Sequence, residues 1–227
     1  MKKFMYKTSK KLKTYFLYLL PFYLNRKITA KERIKKHERY FDIKNSELLN
    51  GDNVLFKKLL EEAKYYGEYG VGSTTIHALK KEKKIIAVDS SYAWINEVSK
   101  SVRNSSTADL KYVNLGKVED WGYPLGYTKK ENFKLYRNYI WQKAEKPDLV
   151  MIDGRFRVAC FLTSLRYANP KTKIYFDDYL TRPFYHEVEE FEVPIEETTR
   201  AAVFMVNGSY DIEKLDYLID KFEYVLN

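Results

Sequence analysis

The chain has 227 residues, enough for one α/β domain with a sizeable core and a short extension. Its formal net charge is +9, but residues 1–40 carry thirteen Lys and Arg against two Glu, while the other 187 residues carry 27 basic and 29 acidic side chains. A single cysteine, Cys160, excludes an internal disulfide framework and favours a reducing, cytoplasmic compartment. No apolar run reaches membrane-spanning length.

Residues 1–44 are predicted to form a basic, aromatic, helical extension ahead of a domain at 45–227. A ten-residue aromatic and aliphatic run at 15–24 cannot cross a bilayer, but with its basic flanks it can lie on an anionic membrane surface. Such binding would place the protein at the inner face of the membrane. Packing on the domain or on a second subunit, as in a homo-oligomer, is also open. A nucleic-acid-binding arm fits less well, because the rest of the chain is nearly neutral.

Residues 65–89 predict a strand, a glycine turn, a helix and a second strand. Gly70 and Gly72 allow a ligand to approach the main chain just before the helix. Asp89 ends the second strand, where a carboxylate can accept both hydroxyls of a ribose. Thr75 stands where a dinucleotide fingerprint requires its third glycine. The unit therefore predicts an adenosine-containing cofactor, but not through the dinucleotide pattern.

The remaining chain alternates between helical and strand patterns. The predicted helices are 52–64, 92–102, 129–143, 155–167, 182–191 and 211–226, and the later strands are 110–115, 148–152, 173–177, 191–198 and 200–206. This order predicts an α/β fold with a mostly parallel seven-stranded sheet and helices on both faces. The aromatic loop at 116–127 is long for a plain connection, so it is either part of a ligand site or a surface turn.

Carboxylates follow the fourth and fifth predicted strands, at Asp153 and at Asp177 with Asp178. Ligands of open α/β sheets bind beyond these strand ends. Arg155 and Arg157 begin the helix after the fourth strand, where the helix dipole disfavours positive charge. They are therefore candidates for binding a phosphate or carboxylate, although unpaired surface arginines are an alternative.

The segment Glu68-x-Gly70-x-Gly72 resembles the first motif of class I S-adenosylmethionine-dependent methyltransferases. This resemblance implies a Rossmann-like fold that binds S-adenosylmethionine. The first acid would lie near the cofactor's amino-acid end, the glycines under its ribose, and the loop at 116–127 near its adenine. The implied cofactor-binding residues are Glu68, Tyr69, Gly70, Gly72, Ser73, Asp89, Glu119, Asp120 and Trp121.

The sequences Asp-Gly at 153–154 and Phe-Asp-Asp-Tyr at 176–179 resemble the metal site of catechol-type and macrolide-sugar O-methyltransferases. The resemblance implies a Mg²⁺ ion that lowers the pKa of the acceptor hydroxyl. The implied metal ligands are Asp153, Asp177 and Asp178. The sugar enzymes often carry a His three residues after the first acid, where this chain has Phe156. His186 is the candidate base, because it follows the fifth strand and histidine titrates near neutral pH, although a surface or capping role on the next helix is more common for such a residue.

The motif set also resembles methyltransferase-like proteins of bacterial surface-glycan loci. We therefore expect O-methylation of a sugar or surface-glycan precursor, with Asp153 and His186 as catalytic residues. The expected substrate-binding residues are Arg155, Arg157, Tyr179 and Arg182. Two other classes stay open: a non-catalytic or scaffold protein on this fold, which Phe156 favours, and a nucleic-acid methyltransferase that uses the basic extension.

Overall fold

The structure is a computed structural model that describes residues 47–101 and 107–226. The predicted extension at 1–44 lies outside these ranges, so membrane-surface, partner or nucleic-acid binding through it stays a prediction. Across the two described ranges, no helix combines the length and apolar character needed to cross a membrane.

Helices and strands alternate along the described chain. The helices are α1 Val54–Glu62, α2 Ser73–Lys80, α3 Tyr92–Ser101, α4 Phe133–Asn138, α5 Arg157–Tyr167 and α6 Ile212–Phe222. The strands are β1 Tyr65–Tyr69, β2 Lys84–Asp89, β3 Ala108–Tyr112, β4 Leu149–Ile152, β5 Lys173–Phe176, β6 Glu196–Glu197 and β7 Ala202–Met205. Short 3₁₀ helices lie at Leu48–Gly51, Asp120–Gly122, Lys130–Asn132, Tyr139–Trp141 and Pro183–Glu190.

The seven strands form one sheet in the order β3-β2-β1-β4-β5-β7-β6. Strands β1 to β5 pair in parallel, whereas β7 runs antiparallel to both β5 and β6. Every residue of β1 and β4 is buried, as expected for parallel strands covered on both faces. The predicted fold class is confirmed, and the carboxyl ends of β1, β2, β4 and β5 lie at one edge of the sheet.

Aromatic side chains fill much of the core beside this edge. Phe156 lies between Phe133, at a ring distance of 4.7 Å, and Tyr136, at 5.7 Å. Tyr69 is fully buried, and its hydroxyl donates to the carbonyl of Arg137 and accepts from Trp141 Nε1. Each such side chain contributes about 1.5–3 kcal/mol to stability through burial.

The C-terminal segment contacts the loop at 116–127. The Tyr123 hydroxyl donates to the Leu226 carbonyl at 2.7 Å, and the Tyr127 hydroxyl donates to the Tyr224 carbonyl at 2.9 Å. Just before this segment, Glu223 forms a buried ion pair with Arg137 at 2.5 Å. The end of α6 and the residues after it therefore hold the loop.

Several predicted boundaries were wrong. Strand β3 ends at Tyr112 because its partner β2 ends at Asp89, and those two residues are paired. The helix predicted at 129–143 is divided into 3₁₀ turns around α4, and this lets the consecutive residues Ile140 and Trp141 both be buried.

Further along, the segment 182–191 is a 3₁₀ rather than an α-helix. The strand predicted at 191–198 is only two residues long. Helix α5 begins at Arg157 because Phe156 adopts a left-handed conformation with φ 54°.

Candidate functional site

The glycine turn after β1 packs directly against the turn after β4. Gly70 has φ +94°, and a Cβ there would lie 2.8 Å from main-chain atoms of Asp153 and Gly154, so only glycine fits. A Cβ on Gly154 would in turn lie 2.8 Å from the Gly70 nitrogen. At Gly72, by contrast, an added Cβ would meet none of the described atoms within 4 Å. The turn is therefore tightly packed on one side and open at Gly72, beside the start of α2.

Glu68 joins β1 to the first turn of α2. Its carboxylate is fully buried and accepts hydrogen bonds from the hydroxyls of Thr74 and Thr75. The Thr75 hydroxyl also accepts from the Gly72 N–H at 2.9 Å. Thr75, which breaks the dinucleotide fingerprint, thus links Glu68 to the glycine turn. Glu68 positions this turn from within the core.

Burial raises the pKa of Glu68 to about 8, although the two threonine hydroxyls oppose the shift. Between about pH 4.5 and pH 8 the unfolded chain loses a proton that the folded chain keeps, so the free energy of unfolding falls as pH rises. We expect Glu68→Gln to reduce this fall by more than about 1 kcal/mol. Urea denaturation at about pH 5 and about pH 8.5 measures the change in the free energy of unfolding. Glu145→Gln, which changes an exposed carboxylate, is the control. Equal pH dependence in Glu68→Gln and wild type would contradict the assignment.

Asp89 ends β2 beside the glycine turn. One carboxylate oxygen accepts from the Val71 N–H at 2.7 Å and the other from the Ser91 N–H at 2.5 Å. Burial raises the pKa of Asp89 to about 6, although these N–H groups and the charge of Arg155 oppose the shift. The two main-chain bonds fix the orientation of the carboxylate, and each oxygen keeps a lone pair for a ligand hydroxyl.

The loop at 116–127 lies against the end of β2. The Ser90 hydroxyl donates to the Gly122 carbonyl at 2.7 Å. Trp121 is exposed by 62% and stacks on Trp94 with ring centres 5.9 Å apart. An exposed indole next to the Asp89 turn provides a flat apolar surface on which an adenine can stack.

Glu119 and Asp120 are the other two residues of this loop that are predicted to bind the cofactor. Glu119 is exposed, and its main chain pairs with that of Tyr123. The side chain of Asp120 is not among those that the structure describes. Their predicted role in cofactor binding therefore stays a prediction.

The carboxylates after β4 and β5 meet in an acid–arginine cluster. Each acid offers an oxygen within 4.8 Å of the others. The cluster comprises Asp153, Asp177, Asp178, Arg157, Arg182 and Arg200. The measured ion-pair distances are 2.7 Å for Arg157–Asp153, 3.3 Å for Arg157–Asp178, 2.8 Å for Arg182–Asp178 and 2.6 Å for Arg200–Asp177. Three carboxylates are thus opposed by three guanidinium groups.

The three acids of the cluster differ in exposure. Asp177 is almost fully buried, and burial raises its pKa to about 7, with further contributions from Asp153 and Asp178. The Asp153 side chain is 39% exposed and the Asp178 side chain 19%. Among the described acids of the cluster, Asp153 is therefore the one most accessible to an acceptor.

Arg155 and Arg157 have different surroundings, which corrects the prediction that both bind an acceptor. Arg157 is 3% exposed, and its donors are used by oxygens of the protein. Arg155 is half-buried over the Tyr123 ring at 5.8 Å, and its Nε has no hydrogen-bond partner in the described chain. Of the two, Arg155 is the candidate for binding an anion.

The side chains of three other predicted site residues pack against other parts of the protein. The side chain of Tyr69 lies in the core, so only its main chain can face a cofactor. Tyr179 is buried, and its hydroxyl donates to Glu189 at 2.6 Å instead of facing an acceptor. His186 stacks on Tyr179 at 4.6 Å, and its Nε2 lies 3.3 Å from the Tyr179 carbonyl. This arrangement resembles a packing histidine more than a base beside Asp153.

Sequence reasoning missed Arg200, which contacts both Asp177 and Asp178. It lies in the turn between β6 and β7, and the pairing of Phe176 with Ala202 brings it beside the acids. The available signal was an arginine two residues before the last strand, but its partners follow from the antiparallel register alone.

Comparisons with known proteins agree with this geometry. The chain is 27% identical to a methyltransferase-like protein from Silicibacter pomeroyi, over 75% of this chain and 92% of that one, with a TM-score of 0.68. It has a TM-score of 0.51 with Rv0187 from MTB, solved with a cofactor bound, at 10% identity over 82% of this chain and 95% of that one. No protein-family model and no curated protein matches the chain. The sheet order, the glycine turn and these likenesses show that the chain has the fold of class I S-adenosylmethionine-dependent methyltransferases.

Proposed function

We propose that the protein transfers a methyl group from S-adenosylmethionine to a hydroxyl of an anionic acceptor. The observation that carries this proposal is the contact between the Gly70 turn and the main chain of Asp153 and Gly154. A cofactor on the first turn and an acceptor beside Asp153 would meet at the same edge of the sheet. The similarity to a methyltransferase-like protein supports this class of reaction.

The residues around the glycine turn fit this cofactor. An added Cβ at Gly72 would point into open space, so a ligand can approach the main chain there. Asp89 is oriented by two N–H groups to receive ribose hydroxyls, and Trp121 offers a surface for adenine. When bound, the cofactor supplies a methyl group already activated by a sulfonium sulfur, so the protein chiefly has to align the acceptor.

Asp153 is the residue that we assign to the acceptor hydroxyl. Its Oδ1 is held by Arg157 at 2.7 Å, and its side chain is partly exposed next to the glycine turn. A carboxylate in this position can accept the hydroxyl hydrogen bond, orient the oxygen towards the methyl group, and take the proton as the new bond forms. The assignment replaces His186, which packs on Tyr179.

The expected Mg²⁺ ion is not part of the proposal, because the acid–arginine cluster does not fit it. A metal site needs carboxylate oxygens that face one another across a space for the ion. Here guanidinium nitrogens of Arg157, Arg182 and Arg200 already contact oxygens of all three acids. The proposed methyl transfer therefore does not use a metal ion.

The nature of the acceptor follows from the accessible arginines. Arg155 is half-buried near Asp89, and Arg182 is 39% exposed while paired with Asp178. Both could bind a carboxylate or phosphate beside the hydroxyl to be methylated. An acidic or phosphorylated glycan precursor meets this requirement. For residues 1–40, we propose binding to an anionic membrane surface or to a second subunit.

Calorimetry with S-adenosylhomocysteine tests the cofactor assignment. We expect Asp89→Ala to weaken binding roughly 10- to 100-fold, because two hydrogen bonds to a charged acceptor are lost. The control is Asp216→Ala, which removes a half-exposed carboxylate paired with Arg166 on the surface. Equal affinity in Asp89→Ala and wild type would remove Asp89 from the site. A preference for NAD would contradict the proposed class.

A further inference from the structure

The Arg157 guanidinium has five N–H bonds, and five protein oxygens surround it. Nε donates to the Gly154 carbonyl at 3.1 Å, and Nη1 donates to the Asp177 carbonyl at 2.9 Å. Nη1 also contacts Asp178 Oδ2 at 3.3 Å, and Nη2 contacts Asp153 Oδ1 at 2.7 Å and the Asp153 carbonyl at 3.3 Å. We call these three carbonyl and two carboxylate oxygens the Arg157 oxygen shell. Hard divalent cations select the same kinds of ligand.

Local structure holds the guanidinium in this shell. Arg157 is the first residue of α5, directly after Phe156 in its left-handed conformation. Phe156 is 1% exposed and packs between Phe133 and Tyr136. The residue that departs from the sugar-enzyme pattern therefore fixes the backbone from which Arg157 enters the cluster.

Charge within the cluster is balanced without a metal. Four of the six carboxylate oxygens contact a guanidinium nitrogen. A divalent cation placed among these acids would add two positive charges to a group in which three guanidinium charges already oppose at most three carboxylate charges. It would also lie against Arg157, which is too deeply buried to move away without breaking its contacts.

We propose that Arg157 acts as a built-in cation: its guanidinium occupies the position that a divalent metal takes in the metal-dependent enzymes this sequence resembles. In the proposed methyltransferase it then holds Asp153 towards the acceptor, so Arg157 is a positioning residue and the site needs no metal. This role rests on the proposed function, whereas occupation of the oxygen shell can be tested without turnover.

Titration with Mn²⁺, followed by the loss of its free electron paramagnetic resonance signal, tests the proposal on the full-length, chelator-treated protein. Wild type should leave the Mn²⁺ signal unchanged. Arg157→Ala empties the oxygen shell and leaves a net negative charge, so it should bind one Mn²⁺ at least about tenfold more tightly than wild type. In the same variant, Mn²⁺ should raise the melting temperature, with no such rise in wild type.

Two matched variants test whether Mn²⁺ affinity depends on the position of the guanidinium charge or only on the net charge of the cluster. Arg200→Ala removes one positive charge from the same cluster but leaves the oxygen shell filled, so it should gain no Mn²⁺ affinity. Arg157→Lys keeps a cation in the shell and should also gain none. Equal gains in Arg200→Ala and Arg157→Ala would show that net charge alone decides, and would overturn the assignment of the position.

Other outcomes also decide the question. Tight Mn²⁺ binding by wild type, lost in Asp153→Asn, would overturn the proposal. If Arg157→Ala is unfolded without metal, circular dichroism with added Mn²⁺ replaces the titration: recovery of the folded spectrum supports the proposal, and no recovery contradicts it. None of these measurements depends on methyl transfer, so the proposal and the proposed function can fail separately.

Discussion

Replacing Gly72 by alanine should leave the fold intact but weaken the binding of S-adenosylhomocysteine roughly 10- to 100-fold. The backbone there is extended, with φ −170°, and the new methyl group would meet no described protein atom within 4 Å. The space that it fills is the space in which the cofactor would approach the main chain. Calorimetry and thermal melting of the same samples measure the two effects.

Two other glycines provide controls for this substitution. Gly126 also has open space around an added Cβ, so Gly126→Ala should leave the stability unchanged, as expected for Gly72→Ala. Gly70→Ala should destabilise the fold, since it combines φ +94° with contacts of 2.8 Å to the main chain of Asp153 and Gly154. Unchanged affinity in Gly72→Ala would exclude the turn as the cofactor site.

Replacing Asp153 by asparagine should lower kcat by roughly 10²- to 10⁴-fold, because the amide cannot take the acceptor proton. Its size is nearly the same, and Arg157 keeps Asp178 and three carbonyl oxygens as partners. The affinity for S-adenosylhomocysteine should therefore be close to that of wild type. Transfer of a labelled methyl group to acidic and phosphorylated sugars measures the rate.

A surface substitution and a chelator complete that experiment. Asp216→Asn changes an exposed carboxylate on α6 and should leave the rate unchanged. Excess chelator should leave wild-type turnover unchanged as well. Full activity of Asp153→Asn would remove Asp153 from the chemistry, whereas cofactor binding without transfer to any acceptor would favour the scaffold interpretation.

The glycine turn and the strand ends could be predicted because their signals are local. Gly70 is required by one turn, and Asp89, Asp153 and Asp177 each follow a short apolar run that forms a buried strand. Parallel pairing then brings these positions to one edge of the sheet. The sequence pattern was therefore sufficient for the fold and for the location of the candidate site.

The partners of the acids could not be predicted in the same way. Arg200 reaches Asp177 through the antiparallel register of β5 and β7, which no local pattern indicates. Arg157 enters the cluster because Phe156 has a left-handed backbone conformation. A phenylalanine in the sequence gives no indication of that conformation. A triad of carboxylates resembles a metal site until the long-range position of Arg200 and the direction from which Arg157 enters the cluster are known.

The contacts of the C-terminal segment affect the order in which the site is completed during synthesis. Tyr123 and Tyr127 bind carbonyls that lie 103 and 97 residues further along the chain. At about 5–20 residues per second, a ribosome needs roughly 5–20 s to make that stretch. A growing chain can therefore fold its glycine turn well before the loop at 116–127 has its partners. In the nascent protein, the glycine turn would form first and the aromatic loop last.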